Sequence, residues 1–482
     1  MSDEPSAVAL YHQARAALDR GDSHHALGLL RGAIQLAPHV PQCFLMLGLV
    51  HERLNRVEDA MKAYGEAICL DPDSVEALDR YKRCIEQIPG RAEAYNHLGI
   101  ALADAHRADP ADACFQRAIE LAPDYSIACN NRGLLAKSMG RYADAIAYYR
   151  RAIELNPDYA NARWNLALTL LLTGRFLEGW EGFKWRRRAK LDAILASQRQ
   201  APPTWDGAPF RHRRLLIRYE QGLGDNVQFI RYLPMVKRLG GSVIVETLGP
   251  QMRLFRQIRE IDELVEASPD GRPSVEFDLF AFAMDLPGIF KTTLPTIPAD
   301  IPYLYADIQT SLRWQQRLTE PGLKVGIVWA GSPQHSNDRE RSCPLAHFSA
   351  LTRVPGVTLI SLQKGETAAL GKASFPIRDL SAELHDFAET AGVMACLDLV
   401  ISVDTACLHL AGALGRPVWA LLPAVPDWRW LTDRRDTPWY PTMRLFRQPK
   451  PGDWESVFTR IVLEMGDLVQ KKPSSWRLKD DH

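Results

Sequence analysis

The stretch LVISVDTACLHLAGALGRPVWALL, residues 399–422, decides the fold of the C-terminal half, because it reads strand, short helix, strand. Leu399–Val403 is a run of apolar and β-branched residues long enough for a strand buried on both faces. Asp404 follows with an N-cap side chain, and Thr405 to Leu414 carries good helix formers. Gly415 is placed to end that helix in the left-handed conformation, and Pro417 prevents its restart. Val418–Leu422 is apolar again. A buried strand feeding a helix N-terminus presents free backbone N–H groups and a positive dipole end at the sheet's carboxyl edge, a site suited to phosphate. Ala406, small and just inside the helix, lets an anion approach the backbone, and the Thr405 hydroxyl can donate as well. An ordinary βαβ unit would share this pattern, so its neighbours must decide.

The rest of the 482 residues is long enough for two or three domains with sizeable cores. Lys+Arg and Asp+Glu stand at 58 each, so no global field favours nucleic acid or an anionic membrane. The start, MSDEPSAVAL, is acidic and lacks the basic and apolar blocks of a signal peptide. No apolar run is long enough to span a membrane. The 8 cysteines are scattered with no C-x-x-C pair, as buried free thiols would be. A cytoplasmic location is expected.

Pro38 and Pro72 lie one 34-residue period apart, as do Pro123 and Pro157, and that period is the tetratricopeptide repeat. Tyr95, Leu98, Gly99, Ala111, Phe115, Ala118 and Pro123 occupy the signature positions of one unit. Phe44, Leu47, Gly48, Ala60, Tyr64 and Ala67 do so in another, and Gly133, Ala145, Tyr149 and Ala152 in a third. Divergent units begin near Leu10 and at Trp164. Small residues let paired helices approach closely, and large ones fill the space between pairs. The interval from Pro72 to Pro123 exceeds one period, which predicts an additional helix over Asp73–Gln87, closed by Ile88-Pro89-Gly90, that bends or splits the solenoid. Residues 1–190 therefore read as about five repeats resembling tetratricopeptide domains. That resemblance implies a superhelix whose concave face holds a partner or an extended peptide. A scaffold or self-association surface fits the same pattern.

In Arg175–Lys190 the aromatics Phe176, Trp180, Phe183 and Trp185 are expected to seal the open end of the repeats, with Arg186–Arg188 as solvated charges at a helix end. Residues 191–212 form a connector containing Ala201-Pro202-Pro203. Strand–helix alternation then begins. Leu215–Tyr219, Ser242–Glu246, Phe277–Ala281, Lys324–Ala330 and Val357–Gln363 read as strands, Val227–Leu239 and Trp454–Leu468 as helices. Pro295, Pro298 and Pro302 separate two α/β halves, 213–305 and 306–450, with a helix and tail over 451–482. Ligands of such folds sit outside the carboxyl ends of the strands.

The turn Gly222-Leu223-Gly224-Asp225 lacks the third glycine of a dinucleotide fingerprint, since position 227 holds Val, so a dehydrogenase is disfavoured. Gly222 and Gly224 still admit a substrate to the backbone, and Asp225, at a helix start, is the candidate proton acceptor. The polar loop from Gly331 to Ser342 offers Arg339 and Arg341 for a diphosphate, and Lys364 leaves the neighbouring strand. His409 lies one turn after Thr405 on the same helix face, as a ligand contact or a satisfied core histidine. Of Trp428, Trp430, Trp439 and Tyr440, one could stack on a nucleobase, while most are expected to pack the C-terminal helix.

The pattern Asp404-Thr405-Ala406, His409-Leu410-Ala411-Gly412-Ala413, Gly415-Arg416-Pro417 resembles the donor-site signature of glycosyltransferase family 9, the heptosyltransferase-like enzymes. Gly224-Asp225 is similar to that family's N-terminal Gly-Asp turn, and Arg339–Pro344 to its donor-phosphate loop, where Arg341 stands in place of a lysine. The resemblance implies a GT-B fold of two Rossmann-like halves, hence an α plus α/β protein, and an inverting, metal-independent reaction with no cofactor. It implies Asp225 as general base and Gly222, Gly224, Arg339, Arg341, Lys364, Asp404, Thr405, Ala406 and His409 around a nucleotide-diphosphate sugar, with no metal ligand. The repeats would recruit a protein or glycan acceptor. Two other readings are a non-catalytic adaptor with a nucleotide-binding α/β domain, and an O-GlcNAc transferase-like enzyme, whose donor motifs find no match here.

Overall fold

The computed structural model describes residues 6–88, 90–190, 203–335, 337–365, 370–371 and 373–471. Pro89, Ser336, most of the connector (191–202) and the tail from 472 lie outside the described residues. The chain divides into two compact units, 1–169 and 170–482. The division falls ahead of residue 190, where the sequence places the end of the repeats.

The first unit is helical. In order come α1 (Ala7–Asp19), α2 (Ser23–Leu36), α3 (Pro41–Arg53), α4 (Val57–Leu70), α5 (Val75–Gln87), α6 (Ala92–Asp104), α7 (Ala108–Leu121), α8 (Ser126–Ser138), α9 (Tyr142–Leu155) and the start of α10 (Ala160–Leu172). Pairing is α1 with α2, α3 with α4, α6 with α7 and α8 with α9. Pro38, Pro72, Pro123 and Pro157 each stand directly after a helix C-cap, where a ring that cannot continue the helix belongs. The glycines explain the close pairing: a Cβ on Gly99 or on Gly133 would lie 2.6 Å from the Phe115 or the Tyr149 ring of the partner helix. The additional helix is present as α5. It does not split the solenoid, because Tyr81, Cys84 and Ile85 share one buried cluster with Tyr64 and Ile68 of α4 and Leu98 of α6.

The second unit opens with α11 (Phe176–Phe183) and α12 (Arg186–Lys190), then builds two parallel sheets. The first holds β1 (Arg214–Arg218), β2 (Ser242–Thr247), β3 (Glu263–Glu266) and β4 (Leu279–Phe282) in the order β3-β2-β1-β4. The second holds β5 (Leu323–Val328), β6 (Val357–Ser361), β7 (Arg378–Asp379), β8 (Leu399–Val403), β9 (Val418–Leu422) and β10 (Met443–Arg447) in the order β10-β9-β8-β5-β6-β7. These are the two α/β halves that the alternating pattern implies. β3, β7 and β10 are additions that the pattern does not reveal. The helix expected over Val227–Leu239 is broken into Leu223–Phe229, a 3-10 turn Ile230–Tyr232 and Leu233–Lys237. Pro234 forces the break, since it is tolerated only in the first turn of a new helix.

One face of the larger sheet buries Val325, Ile327, Ile401 and Val403 against Phe348 and against Phe458, Ile461 and Met465 of the C-terminal helix Trp454–Lys471. Trp428, Trp439 and Tyr440 are not part of that packing. Trp428 instead meets Trp180 and Phe183 of α11 edge-on at 5.3 and 5.9 Å and stacks on Phe229 at 6.4 Å, and Trp439 meets Phe176 at 6.4 Å. The aromatics of α11 thus pack into the α/β unit itself. Arg186 is not a solvated charge either. It is fully buried, with Nε and Nη2 bonded to the Glu220 carboxylate at 2.9 and 2.6 Å and Nη1 2.8 Å from Asp285. A guanidinium enclosed this way is held because two carboxylates replace its water.

Candidate functional site

The helix after β8 runs Ala406–Ala413, and its N-cap residue is Thr405, with φ −140° and ψ 172°. Asp404 is therefore not the cap. Its Oδ2 accepts from the Trp430 indole Nε1 at 2.8 Å, and its carbonyl oxygen accepts from Arg341 Nη1 at 3.2 Å. Among the described residues no acceptor is bonded to the amides of Ala406 and Cys407, the donors every helix leaves open at its start. Residues 404–407 are half-buried, with the Gly224 backbone packed close to Ala406. Burial pushes the Asp404 carboxyl up to about 6, and the Asp427 charge adds to this; the Trp430 N–H, Arg429 and Arg341 oppose it.

The Gly222–Asp225 turn comes to this helix from the other half. A Cβ on Gly224 would lie 2.9 Å from His409 Cδ2 and 3.2 Å from Ala406 Cα, so the turn fits there only because position 224 has no side chain. Asp225 is the third residue of the helix Leu223–Phe229, and its Oδ2 accepts from the Gly222 amide at 2.9 Å, reaching back to the N-cap residue. Its Oδ1 accepts from Arg429 Nη2. The side chain keeps 18% of its surface exposed, enough for a hydroxyl to reach it.

Of the other sequence candidates, Arg341 is brought to the helix start, where it also bonds Asp338 Oδ1 from Nε at 3.2 Å. Arg339 is exposed and is not brought in. Lys364 donates to the Ser381 carbonyl at 2.8 Å, beyond β6. His409 is buried, with Nδ1 2.9 Å from the Tyr440 hydroxyl and its ring stacked on Trp430 at 5.4 Å. Burial first, then the Arg429 and Arg231 charges, holds it well below the ordinary histidine range and hence neutral. That is the arrangement of a satisfied core histidine supporting the helix.

Sequence reasoning missed Arg429, Asp427 and Gln228. Their signal was Asp427-Trp428-Arg429-Trp430, where charged residues alternate with tryptophans that were assigned to packing alone. Arg429 is 7% exposed; Nη1 bonds Asp427 Oδ1 at 2.8 Å and Nε donates to Gln228 Oε1. A separate hollow of about 500 Å³, lined by Arg211, His212, Arg213 and Asp262, lies where β1 and β2 begin, the opposite edge from this site. Among the described residues no group of three or more His, Cys, Asp or Glu is arranged to hold a metal ion, and no helix is long and apolar enough to cross a membrane.

Comparison with known proteins gives the same division. Tetratricopeptide-repeat profiles match residues 11–75, 92–125 and 126–159, and the profile of glycosyltransferase family 9 (heptosyltransferase) matches 357–431. Asp225 and Arg341 lie outside that last match. Protein FlbA of Caulobacter vibrioides is 30% identical over 328 residues, covering 62% of this chain and 54% of that protein. The chain thus spans about half the length of the curated relative it matches. A glycosyltransferase family 9 structure from Veillonella parvula aligns at 10% identity with a TM-score of 0.39, covering 53% of this chain and 91% of that one. The structure of MamA aligns at 24% identity with a TM-score of 0.22, covering 37% and 96%. The profile matches, with the two parallel sheets and the paired helices, give the conclusion: this chain joins tetratricopeptide repeats to a glycosyltransferase family 9 domain.

Proposed function

We propose that the chain is a glycosyltransferase that moves a sugar from a nucleotide-diphosphate sugar to an acceptor hydroxyl by inverting displacement. The observation that carries this reading is the apposition of the Gly222–Asp225 turn with the start of the helix Ala406–Ala413, with Arg341 and Arg429 beside them. In this reaction Asp225 takes the acceptor O–H proton as the new bond from that oxygen to the anomeric carbon forms. The bond from the anomeric carbon to the diphosphate oxygen breaks, and its electron pair leaves with the nucleoside diphosphate. Negative charge develops on that leaving group, where the open amides of Ala406 and Cys407, the Thr405 hydroxyl and the Arg341 guanidinium can stabilise it without reorganising. The repeats recruit a protein or glycan acceptor, and the reaction takes place in the cytoplasm without a cofactor.

The experiment is a screen of nucleoside diphosphates for thermal stabilisation of the full chain, followed by hydrolysis of the matching nucleotide sugars by wild type and Asp225→Ala. Stabilisation by one base and turnover lost in the variant support the assignment. No stabilisation and no turnover across the panel would favour the non-catalytic adaptor.

A further inference from the structure

Asp225 is held by a residue from the opposite half of the fold, more than 200 positions away in sequence. Arg429 sits in the 3-10 turn Trp428–Trp430, and its three donor nitrogens are divided among three acceptors. Nη2 goes to Asp225, Nη1 to Asp427 and Nε to the Gln228 side-chain oxygen one turn beyond Asp225. The plane of the guanidinium is fixed by aromatic rings, with Cζ 4.6 Å from the Trp428 centroid and 5.5 Å from that of Phe229. Gln228 is fully buried and, among the described residues, its Nε2 has no partner, so its orientation is set by the bond from Arg429 to its Oε1.

We propose that Arg429 is the positioning residue for Asp225 in the glycosyl transfer, presenting its carboxylate to the acceptor hydroxyl only when the two halves are apposed. This rests on the reaction argued above. Three physical points carry it. An aspartate has two rotatable bonds, and the Gly222 amide fixes only one oxygen; Arg429 on the other removes the remaining freedom. A carboxylate offers about four lone-pair sites, so two bonds still leave room for the acceptor hydroxyl. Arg429 is shared between Asp225 and Asp427, so Asp225 does not have the guanidinium to itself. Because the guanidinium comes from the nucleotide-side half and the carboxylate from the acceptor-side half, opening the halves parts them. The acceptor proton then has no aligned base until the donor half is in place, which disfavours premature reaction.

The test is a cycle of Asp225→Asn, Arg429→Gln and the double variant in the full chain, reading steady-state hydrolysis of the nucleotide sugar identified by the screen. Nucleoside diphosphate affinity is measured by calorimetry on the same samples. Arg429→Gln is expected to lower kcat roughly 100-fold, the scale on which a misplaced catalytic group costs rate, with affinity for the nucleoside diphosphate changed less than about 3-fold. In the Asp225→Asn background the same substitution should cost little, because its effect runs through a base already removed. Arg429→Lys keeps a buried cation for Asp225 and Asp427 where the glutamine variant may not fold, and should restore part of the rate without reaching wild type. Multiplicative losses in the double variant, or full activity in Arg429→Lys and Arg429→Gln, would overturn the positioning role while leaving the enzyme assignment intact. Loss of nucleoside diphosphate affinity with kcat retained would overturn it too, by making Arg429 a donor contact. Absence of turnover in wild type would remove the transferase reading, and the role with it.

Discussion

Replacing Asp404 with asparagine should change how the stability of the α/β unit depends on pH. Asp404 is 16% exposed at the side chain and its carboxyl is pushed up to about 6, first by burial and then by Asp427. An aspartate in the unfolded chain titrates near 3.9, so the folded value is raised by roughly 2 units, equivalent to about 3 kcal/mol. The sign follows from the direction. A group whose folded value is raised binds its proton more tightly in the folded state. Its stabilising contribution is complete below about pH 4 and is lost as pH rises through about 6. Between pH 5 and pH 8 the wild type should therefore lose about 1 kcal/mol that Asp404→Asn does not lose.

The assay is urea unfolding of both proteins at pH 5 and pH 8, followed by tryptophan emission. All tryptophans except Trp164 lie in the 170–482 unit, so the signal reports the correct unit. Any constant effect of the asparagine, such as a weaker bond to Trp430 Nε1, cancels when the two pH values are compared. Equal pH responses in the two proteins would refute the reasoning, because Asp404 would then be paired or solvated well enough to sit near its unfolded value.

Other expectations follow from the same contacts. Affinity for the intact nucleotide sugar, whose diphosphate does not titrate near neutrality, should rise as pH falls from 7 to 5.5 in wild type and stay flat in Asp404→Asn, by calorimetry; a matching slope in the variant would exclude Asp404 as the source. Arg186→Gln leaves the buried Glu220 and Asp285 carboxylates without their shared cation and should destabilise the α/β unit by about 3–5 kcal/mol in the same urea assay. Gly224→Ala puts a methyl group 2.9 Å from His409 and 3.2 Å from the Ala406 backbone, so it should cost about 1–3 kcal/mol and weaken nucleoside diphosphate binding. In the repeats, Gly99→Ala forces the Phe115 ring away and should lower the helical melting transition by a similar energy, seen by circular dichroism.

Legibility in the sequence followed the periodicity of burial. Strands buried on both faces, such as Leu399–Val403 and Val418–Leu422, stand out as apolar runs, and the repeats stand out because Gly99 and Phe115 recur at a fixed spacing. β3, with the sequence ELVE, is half exposed and flanked by charges, so its apolar run is too short to read. β10 hides behind Arg444 and Arg447. The start of the helix after β8 was legible and its cap was not, because an Asp beside a Thr offers two capping side chains, whereas the Asp404 carboxylate is taken by Trp430 and Thr405 is the N-cap residue without a side-chain bond to the helix. Arg186 and Arg429 were missed for one reason. A buried arginine is written like a surface arginine, and only its distant partners, Glu220 and Asp285 for one and Asp225 and Asp427 for the other, distinguish it.

Arg429 and Arg231 join the α/β halves in opposite directions, beside Arg253 of the first half, which pairs with Asp386 and Glu389 of the second. Arg429 reaches from the 306–450 half to Asp225 and Gln228. Arg231, in the turn after the Asp225 helix, reaches the other way, with Nη1 donating to the Trp439 carbonyl at 2.7 Å, while the Pro298 carbonyl at 3.2 Å and the Tyr303 hydroxyl at 2.8 Å anchor it within its own half. Its cation lies 4.5 Å from the Tyr440 ring and 4.7 Å from the Tyr303 ring. Both guanidiniums have lost their water, and desolvation of that kind consumes most of what the contacts return. They fix the register of one half on the other more than they hold the halves shut. Parting the halves would rehydrate both arginines and would also expose Phe229, which stacks on Trp428 and meets Trp439 edge-on at 6.4 Å. The polar contacts therefore set geometry at Asp225, which the Gly222 amide and Arg429 hold from either half, and the rings supply the apolar part of the contact.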